Sequence, residues 1–178
     1  MNWTTTGAAG LLLALAACSP ALNWRTVALP DAALTITLPC KPDHAARSVE
    51  LAGLPVELAM VGCEADGATF AVSTTTLADA AQVATALTHW RVAVLARLGV
   101  APAQAADVPF APRNALPLPQ SVRTTAEGRG PDGRALHAQA VWFARPAGTQ
   151  MRLYHAVVLA PQARAEVANT FFSGIVLP

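Results

Sequence analysis

An α+β fold on a central antiparallel sheet is predicted by changes of hydrophobic period along the 178-residue chain. Side chains alternate in strand fashion from Asn23 to Ser73 and again from Ser121 to Leu159. Between these blocks Val83, Leu87, Trp90, Val94 and Leu98 recur at helical spacing, and a shorter helical pattern follows the last strand. The order strands, helix, strands, helix places one long and one short helix on the sheet.

Asn23 to Leu29 reads as a first strand, with a turn at Pro30-Asp31. Leu34, Ile36 and Leu38 alternate with Thr35 and Thr37, the pattern of a half-buried strand. Pro39 and Pro42 end it, because proline cannot donate to a ladder. Arg47–Leu51 and Leu54–Cys63 flank Gly53 as a hairpin, with Val56, Leu58 and Met60 on one face. Ala65-Asp66-Gly67 is a further turn, after which Phe70 and Val72 face one way. The first half is thus expected to be a meander.

The long helix has Thr76 as its expected cap, with Asp79 three residues on, and Gly99 and Pro102 as its stop. Its stripe reads as core against the sheet rather than as a ligand groove. Gly99 to Pro119 holds five prolines and no period, so it is expected to cross the domain or to line a site. Ser121–Glu127 reads as a strand, Gly130–Gly133 as a tight turn, and Arg134–Arg145 with Gln150–Leu159 as a hairpin. Pro161 is expected to open the short helix, which carries Ala163, Val167 and Phe171. Gly174 ends it, and Ile175–Leu177 is expected as a last edge strand.

The first residues carry a different message. From Gly7 to Ala17 every residue is Gly, Ala or Leu. That is about half of the roughly 20 apolar residues a spanning helix needs, and it suits the core of a secretory signal. Leu15-Ala16-Ala17-Cys18 resembles the lipobox of bacterial lipoproteins. The resemblance implies lipidation of the Cys18 thiol, cleavage before it and acylation of the new amine. Two or more chains give stable anchoring where one does not. Ser19 resembles the residue found in lipoproteins sorted to the outer membrane. Met1–Thr6 carries no Lys or Arg where a positive segment is expected, so either the free amine suffices or the native start differs. The chain divides into a signal peptide (1–17), a lipidated tether (18–22) and one domain (23–178).

One domain of that size buries about 70% of its unfolded surface. Twelve Lys and Arg against eleven Asp and Glu leave a net charge of +1, so no basic field attracts nucleic acid. Lys41 is the only lysine. Charged residues make up 13%, which fits either a surface covered by membrane or partner, or an alanine-rich surface. Three cysteines become an even pair once Cys18 is lipidated. In an oxidising periplasm Cys40 and Cys63 are expected to form a disulfide.

Leu38-Pro-Cys-Lys-Pro42, Met60-Val-Gly-Cys63, Phe70-Ala-Val72, Tyr154-His-Ala-Val-Val158 and Phe171-Phe-Ser-Gly-Ile175 together resemble small exported bacterial proteins. Those are similar to the Mog1/PsbP-like group. The resemblance implies a central antiparallel sheet flanked by helices, and a role in binding or assembly. Its motifs are structural, so it carries over no catalytic residue.

The chain holds no G-x-S-x-G, H-E-x-x-H, S-x-x-K or phosphate-binding loop. Cys40, His44 and Cys63 are the best reactive constellation, as two thiolates and an imidazole can hold copper or zinc. The C-x3-H spacing with one distant Cys is not diagnostic, and an oxidising compartment favours a structural disulfide. Asp43 beside His44 either orients the ring or is solvated. His155 on an apolar strand face reads as a core or edge histidine with a satisfied nitrogen, and His89 as exposed. His137 and His155 with Asp132 or Glu127 form a remoter acid/base or metal candidate.

These readings predict a non-catalytic, lipid-anchored envelope protein facing the periplasm from the outer membrane. Its partners are the membrane, through lipid on Cys18, and another envelope component; no cofactor, metal or nucleic acid is expected. The alternative is a periplasmic redox or metal-handling lipoprotein using Cys40, Cys63 and His44. A third reading is a hydrolase with a dispersed site beside the Pro-rich loop.

Overall fold

The structure, a computed structural model, describes residues 21–178. The segment expected to be a signal peptide, and Cys18, lie outside the described residues. The fold is α+β: a seven-stranded antiparallel sheet, a separate two-stranded sheet and two α-helices.

Two tight turns build the first part of the large sheet. Ala52 and Gly53 (φ 54° and 80°) and then Asp66 and Gly67 (φ 50° and 69°) all take positive φ. Two-residue connections of that kind match the right-handed twist of the strands they join. They link β3 (Asp43–Leu51), β4 (Leu54–Ala65) and β5 (Ala68–Leu77) in continuous register.

The chain then leaves the sheet. Asp79 accepts a hydrogen bond from the Ala81 amide (2.8 Å) and caps a 3-10 turn that runs into α1 (Val83–Arg97). α1 crosses one face and delivers the chain to the opposite edge, β6 (Ala106–Pro109). β7 (Val122–Arg129), β8 (Ala135–Ala147) and β9 (Gln150–Ala160) wind back until β9 pairs with β5. The strand order is β3-β4-β5-β9-β8-β7-β6.

Side-chain alternation gives this sheet two buried faces. On one, Leu58, Leu77, Trp142 and Leu153 pack under Val83, Leu87 and Trp90 of α1. On the other, Phe70, Val72, Phe143 and Tyr154 pack against the β1–β2 hairpin and α2 (Ala165–Ser173). β1 (Arg25–Leu29) and β2 (Leu34–Leu38) make that hairpin, and Leu34, Ile36 and Leu38 point inward as their alternation predicts. Tyr154 ties it down by donating its hydroxyl to the Ala32 carbonyl (2.8 Å, buried). α2 ends tightly against it: a Cβ on Gly174 would sit 2.5 Å from the Thr37 side chain.

Several expectations need correction. The first two strands are not part of the meander; they form their own sheet across its face. Thr76 lies within β5 and leaves capping to Asp79. β3 begins at Asp43, four residues earlier than expected, because its exposed Asp-His-Ala-Ala start carries no alternation. The Pro-rich segment contains the edge strand β6, which Pro109 ends. α2 starts at Ala165 rather than Pro161. Val176 contributes a single bridge to Thr35 instead of a full edge strand.

Candidate functional site

Cys40 and Cys63 are joined, with Cα atoms 5.9 Å apart. The bridge fastens the segment after β2 to β4, and so ties the hairpin to the large sheet. A sulfur committed to a disulfide offers no thiolate, so the Cys40–Cys63–His44 set can take a metal only when reduced. Asp43 and His44 are consecutive in β3 and therefore point to opposite faces, so the carboxylate does not orient that ring. Among the described residues, no three His, Cys, Asp or Glu side chains come together as a metal site.

The histidines are dispersed. His89 is exposed on α1. His137 meets Glu127 across β7 and β8 (3.1 Å), whereas Asp132 accepts from the Arg134 amide in its own turn. His155 pairs with Trp142, five residues along β8 from His137 and on the other face of the sheet. The remoter four-residue candidate is therefore not assembled.

His155 is buried beneath α1, stacked on Trp142 and flanked by Trp90. Its Nε2 has no hydrogen-bond partner, and neither have Trp142 Nε1 and Thr75 Oγ1 on the same face. Nε2 therefore does not supply the satisfied nitrogen expected of this histidine. Burial pushes the His155 pKa down to about 3, which keeps the ring neutral. Ser73 stands directly across from it in β5, equally buried. A nucleophile and base need a mutual hydrogen bond and access to substrate. This pair forms no such bond and lies under a helix.

The polar groove beside the end of α1 is larger, about 770 Å³, and is lined by Arg97, Gln104, Glu127 and Arg129. Among the described residues its lining has no Ser, Thr, Cys or His, and Glu127 is its one carboxylate.

An apolar concavity lies on the other face of the sheet. The Ala28–Ala32 stretch of the hairpin forms one wall; β3, β4 and β5 form the floor and the other wall. Its volume is about 480 Å³, within the range of pockets that hold a ligand or an anchoring side chain. Small apolar side chains line it, among them Ala46, Ala59 and Val61, with His44 and Asp31 as its titratable groups among the described residues. β3, one of its walls, is also an open edge of the large sheet. It runs for nine residues without proline or lysine, and Asp43 to Ser48 are all exposed. The opposite edge, β6, is four residues long and ends in Pro109. One edge is thus short and blunted, and the other is open to pairing.

The sequence reading missed this groove. Its lining comes from four separate stretches of the chain, and of these residues only His44 carries a functional expectation from the sequence. An available signal was the Asp-His-Ala-Ala run of β3, where small residues replace the bulky side chains of a covered strand.

Compared with known proteins, the chain matches no family model, no curated protein and no solved structure.

Proposed function

We propose that this protein is a lipid-anchored, non-catalytic binding module of a bacterial cell envelope, held at the outer membrane through Cys18 and facing the periplasm. It docks an apolar segment of another envelope protein in the groove between the hairpin and the sheet. The groove carries the reading: it is open, apolar, of side-chain dimensions and continuous with an unpaired strand edge. Such an edge lends main-chain hydrogen bonds to an incoming segment while the groove takes its side chains. The lipobox and the Cys40–Cys63 bridge support an exported, oxidising setting. No helix among the described residues is long and apolar enough to cross a membrane, and anchoring through lipid requires none. The layers, a helix on one face and a hairpin with a second helix on the other, fit the Mog1/PsbP-like arrangement that the sequence resembles.

The test is a photo-crosslinking amino acid placed at Ala59 in the groove or at Val92, exposed on α1, in cells that make the protein natively. The reading predicts one discrete adduct from Ala59 and none from Val92. Equal or absent adducts from both positions contradict it.

A further inference from the structure

At one end of the sheet Arg145 on β8 and Arg152 on β9 are direct cross-strand partners. Like charges directly opposite each other repel. Their surroundings leave that repulsion in place. Among the described residues, neither arginine has a carboxylate in ion-pair contact. Arg145 Nε donates to the Pro146 carbonyl (3.3 Å), and Arg152 Nη1 donates to the Asp31 carbonyl. Among the described residues, Arg145 Nη1 is buried without a partner, and buried Arg152 Nε has no well-aligned one, its guanidinium group having only the Tyr154 hydroxyl beside it. Both guanidinium groups also act on the buried Tyr154 hydroxyl, favouring its charged form against the larger effect of burial.

A buried donor without a partner is costly, and a half-buried pair of like charges adds to that cost. A water molecule would satisfy the donors and leave the charges opposed. An anion answers both, and guanidinium groups match an oxyanion with paired donors. We propose that Arg145 and Arg152 form a binding site for an oxyanion of the phosphate class, held between the two guanidinium groups beside the Pro30–Ala32 turn. The phosphate belongs to an anionic lipid headgroup or to a free phosphate. The site stands whether or not the neighbouring groove docks a protein.

The experiment uses the full lipidated protein in an uncharged detergent and follows thermal unfolding. Inorganic phosphate is compared with chloride at matched ionic strength. Phosphate is expected to raise Tm and chloride to leave it unchanged. In R145Q the phosphate-dependent rise is lost, while the anion-free Tm stays equal or increases because one of two opposed charges is gone. R145K, which keeps the charge and loses the fork, retains a reduced rise. The protein is then placed in phosphatidylcholine vesicles with or without phosphatidylglycerol. An Arg145-dependent rise with phosphatidylglycerol assigns the phosphate to a headgroup, and a rise with inorganic phosphate alone assigns it to the free ion. No phosphate-specific rise in the wild type, an undiminished rise in R145Q, or a lower anion-free Tm in R145Q overturns the site.

Discussion

His155 stacks on Trp142 across β9 and β8, with ring centroids 4.9 Å apart and planes 27° from parallel. A protonated imidazole would place a positive charge among Trp90, Trp142 and Ser73, none of which carries a compensating charge. Burial therefore holds the ring neutral, with its pKa down near 3.

The unfolded chain binds a proton at His155 near pH 6.5, and the folded chain does not. Stability therefore falls as pH drops below 6.5. The loss approaches about 1.4 kcal/mol per pH unit and comes to about 1.6 kcal/mol between pH 6.5 and 5. His155→Phe keeps an aromatic ring against Trp142 and removes the titration. Denaturant unfolding across that range should show a flatter pH slope for the variant than for the wild type. Equal slopes would mean that His155 takes up its proton in the folded state.

The Cys40–Cys63 bridge closes a loop with a sequence separation of 23 and holds the hairpin to β4. Replacing both cysteines by serine should cost about 3 kcal/mol, the chain-entropy value for a loop of this size. Because the hairpin forms one wall of the groove, amide exchange in Ala28–Ala32 should also quicken. Unchanged stability and exchange would show that Tyr154 and α2 hold the hairpin without the bridge.

The elements that could be read from the sequence are those whose apolar residues face a single partner surface. β2 shows Leu34, Ile36 and Leu38 inward, and α1 buries Val83, Leu87 and Trp90 from its stripe, with Leu98 buried just past its end. The unread parts depend on distant chain. Nothing near Asn23–Leu38 says that this hairpin leaves the large sheet, because a β-hairpin alternates identically wherever it packs. His155 stands on an apolar strand face, and the sequence could not show that Trp90 would close over it from another element. The groove is the extreme case, since its identity lies in what β1, β3, β4 and β5 leave uncovered.

The resemblance of Leu15-Ala16-Ala17-Cys18 to a lipobox predicts a definite covalent state. Intact mass of protein extracted from its native membrane should correspond to a chain beginning at Cys18, carrying a diacylglyceryl group and an additional acyl chain. Cys40 and Cys63 should resist alkylation until they are reduced. An unmodified chain retaining Met1 would remove the anchor from this account.

The central claim, that the groove docks a partner, is tested most directly by filling it. Ala59 is exposed on the groove wall and has room for a larger side chain, so Ala59→Trp should occupy the cavity without disturbing the core. The measurement is the yield of partner adduct from a photo-crosslinker at Ala46 in native membranes, with and without Ala59→Trp, in variants of equal Tm. The account predicts that the adduct falls at least tenfold when the groove is filled, about 1.4 kcal/mol of lost affinity. An adduct of undiminished yield would contradict it.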